Sequence, residues 1–252
     1  MKRRVYRASA LAGWFGVIVL FVLILSDNAV RGAVFATIGR WPDSVRLIVA
    51  ALGGYLIGSI PIGFLAVGVL TERDVREEGS GRTGGTNAYR AGGFVGGFLT
   101  IVGDFLKGMC AVAFGALTMP YIWAPVLSGL GGVLGHNASI FLAFRGGAGT
   151  ISNMGAATAF WPPALLFIAP VFVLGMFVIR VASVVSIILN SGAVLLFLAL
   201  VLFGGYPWPL LVYAVGALLL TLYALRPNIE RLRHGTEPRV PPIRLFKRAQ
   251  HG

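Results

Sequence analysis

Charge is what this sequence has least of. Only 12% of its residues are Asp, Glu, Lys or Arg, about half the share of an ordinary soluble domain. That shortage argues against a soluble globular fold and for an integral membrane protein. Acids are the scarcer sign, nine against 21 Lys and Arg, and the formal net charge is +12. There is one cysteine, Cys110. It excludes an internal disulfide, and its apolar setting reads as a packed thiol. Short alternating strands are missing too, which sets a β-barrel aside.

What the chain has instead is long apolar runs. Hydrophobic residues make up 57% of it. In lipid each backbone polar group must pair within its own segment, so these runs predict helices. The expected class is an all-α polytopic membrane protein of about eight membrane helices. The spans read as 8–26, 47–70, 93–117, 122–144, 163–179, 181–204 and 209–225, with a short segment at 149–160 that predicts a half-helix or a strongly tilted one. The N-terminus, MKRRVYR followed by ASALAGWFGVIVLFVLILS, has the basic start of a signal peptide. Its apolar run is long enough to span, and no clear A-x-A site follows, so a retained helix is expected. There is no convincing internal repeat.

In a soluble protein the basic surplus would suggest nucleic acid. Here the basic residues lie in loops and tails, so membrane lipid is the expected partner and nucleic acid is not. A cytoplasmic N-terminus places 17 of the 21 Lys and Arg residues inside, with Arg31, Arg40 and Arg46 outside and Lys107 within a span. That bias chooses the orientation and puts residues 71–92, 145–149 and 226–252 on one side, both termini included.

The stretch REEGSGRTGGTNAYR, residues 76–90, interrupts the oily pattern. GSGRTG fits the dinucleotide spacing G-x-G-x-x-G, with Asp104 downstream. That fingerprint needs a preceding strand and a βαβ unit, and membrane helices flank this one. A P-loop reading fails for want of its lysine and strand. The underlying chemistry survives: glycines such as Gly81 leave backbone N–H groups free to approach an anion. Ser80, Thr83 and Thr86 add hydroxyls, Asn87 an amide, and Arg82 and Arg90 charge. Arginine grips phosphate through two parallel hydrogen bonds. The plainer alternative is a solvated turn between helices.

A second loop, GHNASIFLAFRGGAGT at 135–150, repeats the chemistry with Arg145, Gly146, Gly147 and Gly149. Two anion-binding elements on one face predict a ligand with two phosphates, or two phosphorylated ligands. His136 is either a base or donor near neutral pH, or a histidine satisfied by helix packing. Asp104 and Lys107 share a helical face, as a structural ion pair or as a catalytic one. Ser59, with Pro61 behind it, predicts a helix end or kink. Ser186 and Asn190 share a face that lines a cleft or bonds a neighbour. Glycines in GYLIG (54–58) and in 92–97 predict close helix packing.

Six motifs occur in order: YLIGSIPIG (55–63), GSGRTGGTNAYR (79–90), GDFLKG (103–108), LGHNASIFLAFRGGAG (134–149), RVASVVS (180–186) and NIERLRHGTE (228–237). In these the chain resembles the bacterial acyl-phosphate:glycerol-3-phosphate acyltransferases, the PlsY family, over about residues 47–238. The resemblance implies a seven-helix core, so residues 1–46 form an extra membrane helix and loop, and 239–252 a basic cytoplasmic tail. It implies a bacterial inner-membrane enzyme with acyl phosphate and glycerol 3-phosphate as partners and no cofactor, neither metal nor coenzyme A. The acyl group passes to the glycerol 1-hydroxyl, giving lysophosphatidic acid and phosphate. By resemblance, Ser80, Gly81, Arg82, Thr86, Asn87 and Arg90 bind phosphate or glycerol. Arg145, Gly146 and Gly147 form the second phosphate element, and Ser186 and Arg231 add polar contacts. His136, Ser80 and Asn228 are the candidate catalytic residues.

The chain departs from the family pattern in five places. Arg82 stands where the family has Asn, Gly85 where it has Ala, Arg145 conservatively where it has a first lysine, Ala148 where it has a second lysine, and Leu225 where a histidine is often found. Arg82 is the candidate to replace the missing charge. The departures leave open a non-catalytic or substrate-altered relative that binds anionic lipid. A small anion transporter is the third reading.

Overall fold

The computed structural model describes residues 32–33 and 36–240. The first expected span, 8–26, and the tail beyond 240 lie outside the described residues. Helices α1 (Asp43–Ser59) and α2 (Ile62–Thr71) come first. They are followed by α3 (Gly85–Thr118), α4 (Trp123–Asn137), α5 (Thr150–Phe160), α6 (Ala164–Val178), α7 (Ala182–Phe203), α8 (Pro209–Ala224) and α9 (Arg226–Arg233). Among the described residues there is no β-strand.

Among the described residues, three segments are long and apolar enough to cross a membrane: Asp43–Thr71, Gly85–Thr118 and Ala182–Phe203. The pair α8 and α9 qualifies together, bent by 60°. Large apolar side chains such as Leu166, Val178 and Phe203 are 75%, 78% and 87% exposed, which water would penalise and lipid would not. The α1–α2 break falls at Ile60–Pro61, just after Ser59, because a proline ring cannot continue the hydrogen-bond ladder.

Small residues set the packing. A methyl added to Gly54 or Gly58 of α1 would strike the backbone of Ser128 or Gly132 of α4. Likewise Gly108 of α3 lies against Ser152, and Gly155 of α5 against Phe105. Such contacts let helix backbones approach closely where hydrophobic driving force is absent. The main core collects Val112, Val133, Met154, Ile168, Val185, Leu189, Phe197 and Tyr213 from α3 to α8. The buried pair Asp104–Lys107, 2.9 Å apart, is an ion pair within α3, with Lys107 Nζ also donating to the Ile60 carbonyl at 2.8 Å.

Two helices differ from the sequence reading. The span expected at 122–144 ends at Asn137. After it the chain turns back through a 3-10 turn, Ile140–Leu142, and left-handed Ala143 and Phe144. And α3 is not straight: Gly93 holds φ 64°, ψ −159°, outside helical geometry. Helix α5 has 11 residues, about 16 Å or half a bilayer core, and most of them are buried. It is the half-helix that 149–160 predicted.

Candidate active site

Four polar segments meet at one end of the helices. Arg82, from the loop before α3, donates through Nη1 to the Gly147 carbonyl at 3.1 Å. Through Nε it donates to Asn228 Oδ1 at 2.9 Å, and through Nη2 to the Ala224 carbonyl. Arg90 donates to the Arg239 carbonyl at 3.0 Å. Arg180 and Val240 exchange bonds: Val240 N–H donates to the Arg180 carbonyl at 2.7 Å, and Arg180 Nη2 to the Val240 carbonyl at 3.0 Å. The segments expected on one face are therefore joined by hydrogen bonds.

Between them lies a cavity of about 580 Å³. Its polar end holds Ser80, Arg82, Thr86, Asn87, Arg90 and Asn228. Its apolar end runs along Phe94, Phe98, Ile101, Phe172, Met176 and Phe177, between α3 and α6. Phe94 and Phe98 stack at 5.9 Å between centroids, and both are about half-exposed, so this end faces the lipid side.

Two helix N-termini open into the cavity. Gly84, Gly85 and Thr86 begin α3, and Gly149, Thr150 and Ile151 begin α5. The first N–H groups of a helix have no intrahelical partner and carry partial positive charge, which suits an anion. Both starts use glycine as N-cap, and Gly149 takes φ 83°, a conformation that glycine adopts without steric cost.

Asn87 organises the first loop. Its amide donates to Ser80 Oγ at 3.1 Å and to the Arg82 carbonyl at 2.9 Å, while its Oδ1 accepts from Arg90 Nη1 and from Ser80 N–H. Glu237 organises the opposite wall. Its carboxylate accepts from Ser183 Oγ at 2.9 Å, Asn228 Nδ2 at 2.7 Å and Arg231 Nε at 2.8 Å. Asn228 thus has its amide orientation fixed, its nitrogen toward Glu237 and its oxygen toward Arg82. Burial, and to a lesser degree Arg231, bring the Arg82 guanidinium down to about 10, with Glu237 opposing. It stays cationic at neutral pH.

His136 lines the cavity at 5% exposure. Its Nδ1 lies 3.2 Å from Ser152 Oγ and 3.5 Å from Asp104 Oδ1. A methyl on Gly147 would strike the imidazole, and one on Gly146 the His136 carbonyl. Those two glycines therefore seat the second loop on the histidine.

Of the residues named from sequence, the cavity brings together Ser80, Arg82, Thr86, Asn87, Arg90, His136, Ser186 and Asn228. Ser186 Oγ donates to the Ala182 carbonyl of its own helix. Gly146 and Gly147 lie behind the lining, Gly81 is exposed in the first loop, and Arg231 reaches the cavity only through Glu237. Arg145 is exposed and is not part of the lining. Sequence reasoning did not single out Glu237, Arg180, Ser183 or Thr150. Thr150 carried a readable signal, a hydroxyl at a helix start behind glycines. Glu237 carried a weaker one, a lone acid behind a basic helix.

Residues 48–235 match the family profile described as Glycerol-3-phosphate acyltransferase. A glycerol-3-phosphate acyltransferase of Synechococcus sp. (strain JA-3-3Ab) is 40% identical over 201 residues, 79% of this chain and 96% of the relative. Glycerol-3-phosphate acyltransferase 3 of Dehalococcoides mccartyi is 38% identical over 205 residues, 76% of this chain and 94% of the relative. Among solved structures, the crystal structure of PlsY (YgiH), an integral membrane glycerol 3-phosphate acyltransferase, in its glycerol 3-phosphate form superposes with a TM-score of 0.66. It is 33% identical and covers 77% of this chain and 96% of its own. The lysophosphatidic acid form gives 0.64 at 32% identity, covering 77% and 94%.

Proposed function

This chain belongs to the glycerol-3-phosphate acyltransferase family, and we propose that it moves a fatty acyl group from acyl phosphate to the 1-hydroxyl of glycerol 3-phosphate. It is a multi-pass membrane protein of helical architecture. The observation that carries the finer reading is the two-ended cavity: a polar end with two helix N-termini and arginines, continuous with an apolar end along α3 and α6. One substrate offers a phosphate and a long alkyl chain, the other a phosphate and a hydroxyl. The solved relatives named for glycerol 3-phosphate and lysophosphatidic acid forms support that pairing.

In the reaction, the glycerol 1-oxygen attacks the acyl carbonyl carbon. The carbonyl carbon–oxygen bond to phosphate breaks, and inorganic phosphate leaves with the acyl-phosphate bridging oxygen. A phosphate oxygen of the substrates takes the hydroxyl proton, so no protein base is required. Ser80, Thr86, Asn87 and Arg90, with the α3 N-terminus, hold one phosphate. His136 and Asn228 offer donors beside the reacting atoms. Holding both reactants in line supplies about 7–11 kcal/mol of the barrier, and each donor aimed at the developing oxyanion adds about 3–4 kcal/mol. Residues 47–238 form the catalytic unit in this reading, in a bacterial inner membrane, with the polar end and both termini in the cytoplasm.

Purified protein in detergent, given palmitoyl phosphate and labelled glycerol 3-phosphate, is expected to yield lysophosphatidic acid and phosphate in equal amounts. No product under conditions where the Synechococcus relative turns over would overturn the reading. So would product formed from palmitoyl-coenzyme A alone.

A further inference from the structure

We infer that the second phosphate position in this cavity is built by Arg82 and the N-terminus of α5 with Thr150, and not by Arg145. This rests on the acyltransferase reading above and assigns a particular cation and hydroxyl within it.

Three observations converge. First, Gly149, Thr150 and Ile151 line the cavity at the start of an 11-residue helix, whose first N–H groups lack helical partners. Second, the Thr150 side-chain oxygen is buried without a hydrogen-bond partner, in a residue only 8% exposed that lines the same cavity. An unmet buried hydroxyl is costly, and a ligand oxygen at this point would relieve it. Third, Arg82 brings charge to this corner. It is bonded to the Gly147 carbonyl, three residues before Thr150, and its three acceptors are all neutral: two backbone carbonyls and an amide oxygen. Glu237, the nearby carboxylate, is engaged instead by Ser183, Asn228 and Arg231. A guanidinium has five N–H donors, so two remain for a ligand.

The competing cation fails on position. Arg145 is exposed and outside the lining, and Ala148, which does line it, has no charge to offer. Leu225, next to the Ala224 carbonyl that holds Arg82, is buried and apolar. Arg82 therefore spans from the first loop to the second and to the end of α8, at the point where Ala148 and Leu225 offer no polar side chain. The fitting occupant is a phosphate monoester or acyl phosphate dianion. Two hydrogen bonds from the guanidinium and one from the hydroxyl, with the helix start beneath, match its oxygens.

The test is steady-state kinetics of the purified full chain with both substrates varied. Arg82→Asn is expected to lower kcat/KM by about 100-fold, and Thr150→Val by about 5-fold. Arg145→Ala should change it by less than about 3-fold. In the Arg82→Asn background, Ala148→Lys plants an ammonium in the same corner and should recover about 10-fold. Whichever substrate's KM rises in Thr150→Val identifies the phosphate held there, and a raised inhibition constant for inorganic phosphate with neither KM moved assigns it to the leaving group. Arg82→Asn with near wild-type kinetics overturns the proposal. So does loss in a folded Arg82→Asn protein that Ala148→Lys does not recover, which marks Arg82 as a brace only. Should Arg82→Asn not fold, the other pair decides: an unaltered Thr150→Val beside a crippled Arg145→Ala refutes the assignment. An inactive wild type would instead defeat the acyltransferase reading. Protection of the wild type against heat by inorganic phosphate, lost in Thr150→Val, would still support the subsite, and equal protection of both would refute it.

Discussion

At the scale of the residue, the site depends on side chains that hold other side chains. Asn87 touches both arginine-bearing parts of the first loop: it accepts from Arg90 and donates to the carbonyl of Arg82. Alanine there takes the Asn87 partner from a half-buried arginine donor, a backbone carbonyl and a serine hydroxyl. At about 2–3 kcal/mol for a network with a charged member, Asn87→Ala should cut kcat/KM about 30- to 150-fold. The protein should stay folded, which intact thermal unfolding in detergent would establish. A loss of activity matched by general unfolding would refute the orienting role. Asp74, at the foot of the same loop, supports a stability prediction. Its carboxylate caps the 3-10 turn Val75–Glu77 and pairs with Arg76 at 2.6 Å. The Arg76 hydrogen bond holds it below its ordinary value of 3.8 despite some desolvation. A folded value below the unfolded one stabilises at every pH above the unfolded value and is lost as pH falls through the folded one. Asp74→Asn keeps the cap and removes the charge, so it should melt lower than wild type at pH 7, with the gap closing as the buffer becomes more acidic than the usual carboxylate range. A gap that persists unchanged below that range would rule out the ion pair as its source.

At the scale of the element, α3 does two jobs and bends between them. Its 34 residues would measure about 50 Å if straight, well beyond a hydrocarbon core of about 30 Å. The first turns carry Thr86, Asn87 and Arg90, and the remainder carries Phe94, Phe98, Ile101 and Asp104. Gly93 separates them in a backbone region that only glycine occupies freely. No neighbour lies within 4 Å of a methyl added there, whereas Gly92 meets only ordinary contacts at 3.7 Å. The need for glycine at 93 is thus conformational, not spatial. Gly93→Ala should destabilise by about 1–3 kcal/mol and displace the phosphate-holding turn from the apolar wall, lowering activity as well. Gly92→Ala, already helical, should be tolerated. Equal effects would locate the requirement in packing instead. This bend marks where the sequence stops being legible. The run 92–97 is readable as glycine-rich and close-packed, and Gly96 and Gly97 do pack on Ala88 and Tyr89. Composition alone could not say which glycine leaves the helix. The overlong reading of 122–144 has a similar cause. Ile140, Phe141 and Phe144 are apolar enough to extend a span, yet each is 49–63% exposed in the loop beyond Asn137. By contrast the α1–α2 break was readable, because Pro61 dictates it.

At the scale of the whole molecule, the charge distribution and the hydrogen bonds agree on one polar end. The basic clusters that the Lys and Arg bias assigned to one side are tied together there through Arg82, Arg90 and Arg180. The polar end was legible as a set of loops. Its internal wiring was not, since bonds such as Arg82 to Ala224 join residues 142 positions apart. The turn between α3 and α4, with Tyr121 60% exposed, lies at the other end of α3 from Arg90. The excess of Lys and Arg predicts that the polar end is cytoplasmic. The chain offers a clean test, because Cys110, its one cysteine, is buried and contributes little labelling. Arg145→Cys and Arg233→Cys, both at exposed positions, should react with a membrane-impermeant maleimide only after the cytoplasmic face is opened. Tyr121→Cys should react from outside in intact spheroplasts. Labelling of 145 and 121 from the same side would break the proposed topology. Labelling of 145 and 233 from outside would invert it, placing the phosphate-holding end opposite the face where the positive-inside bias puts it.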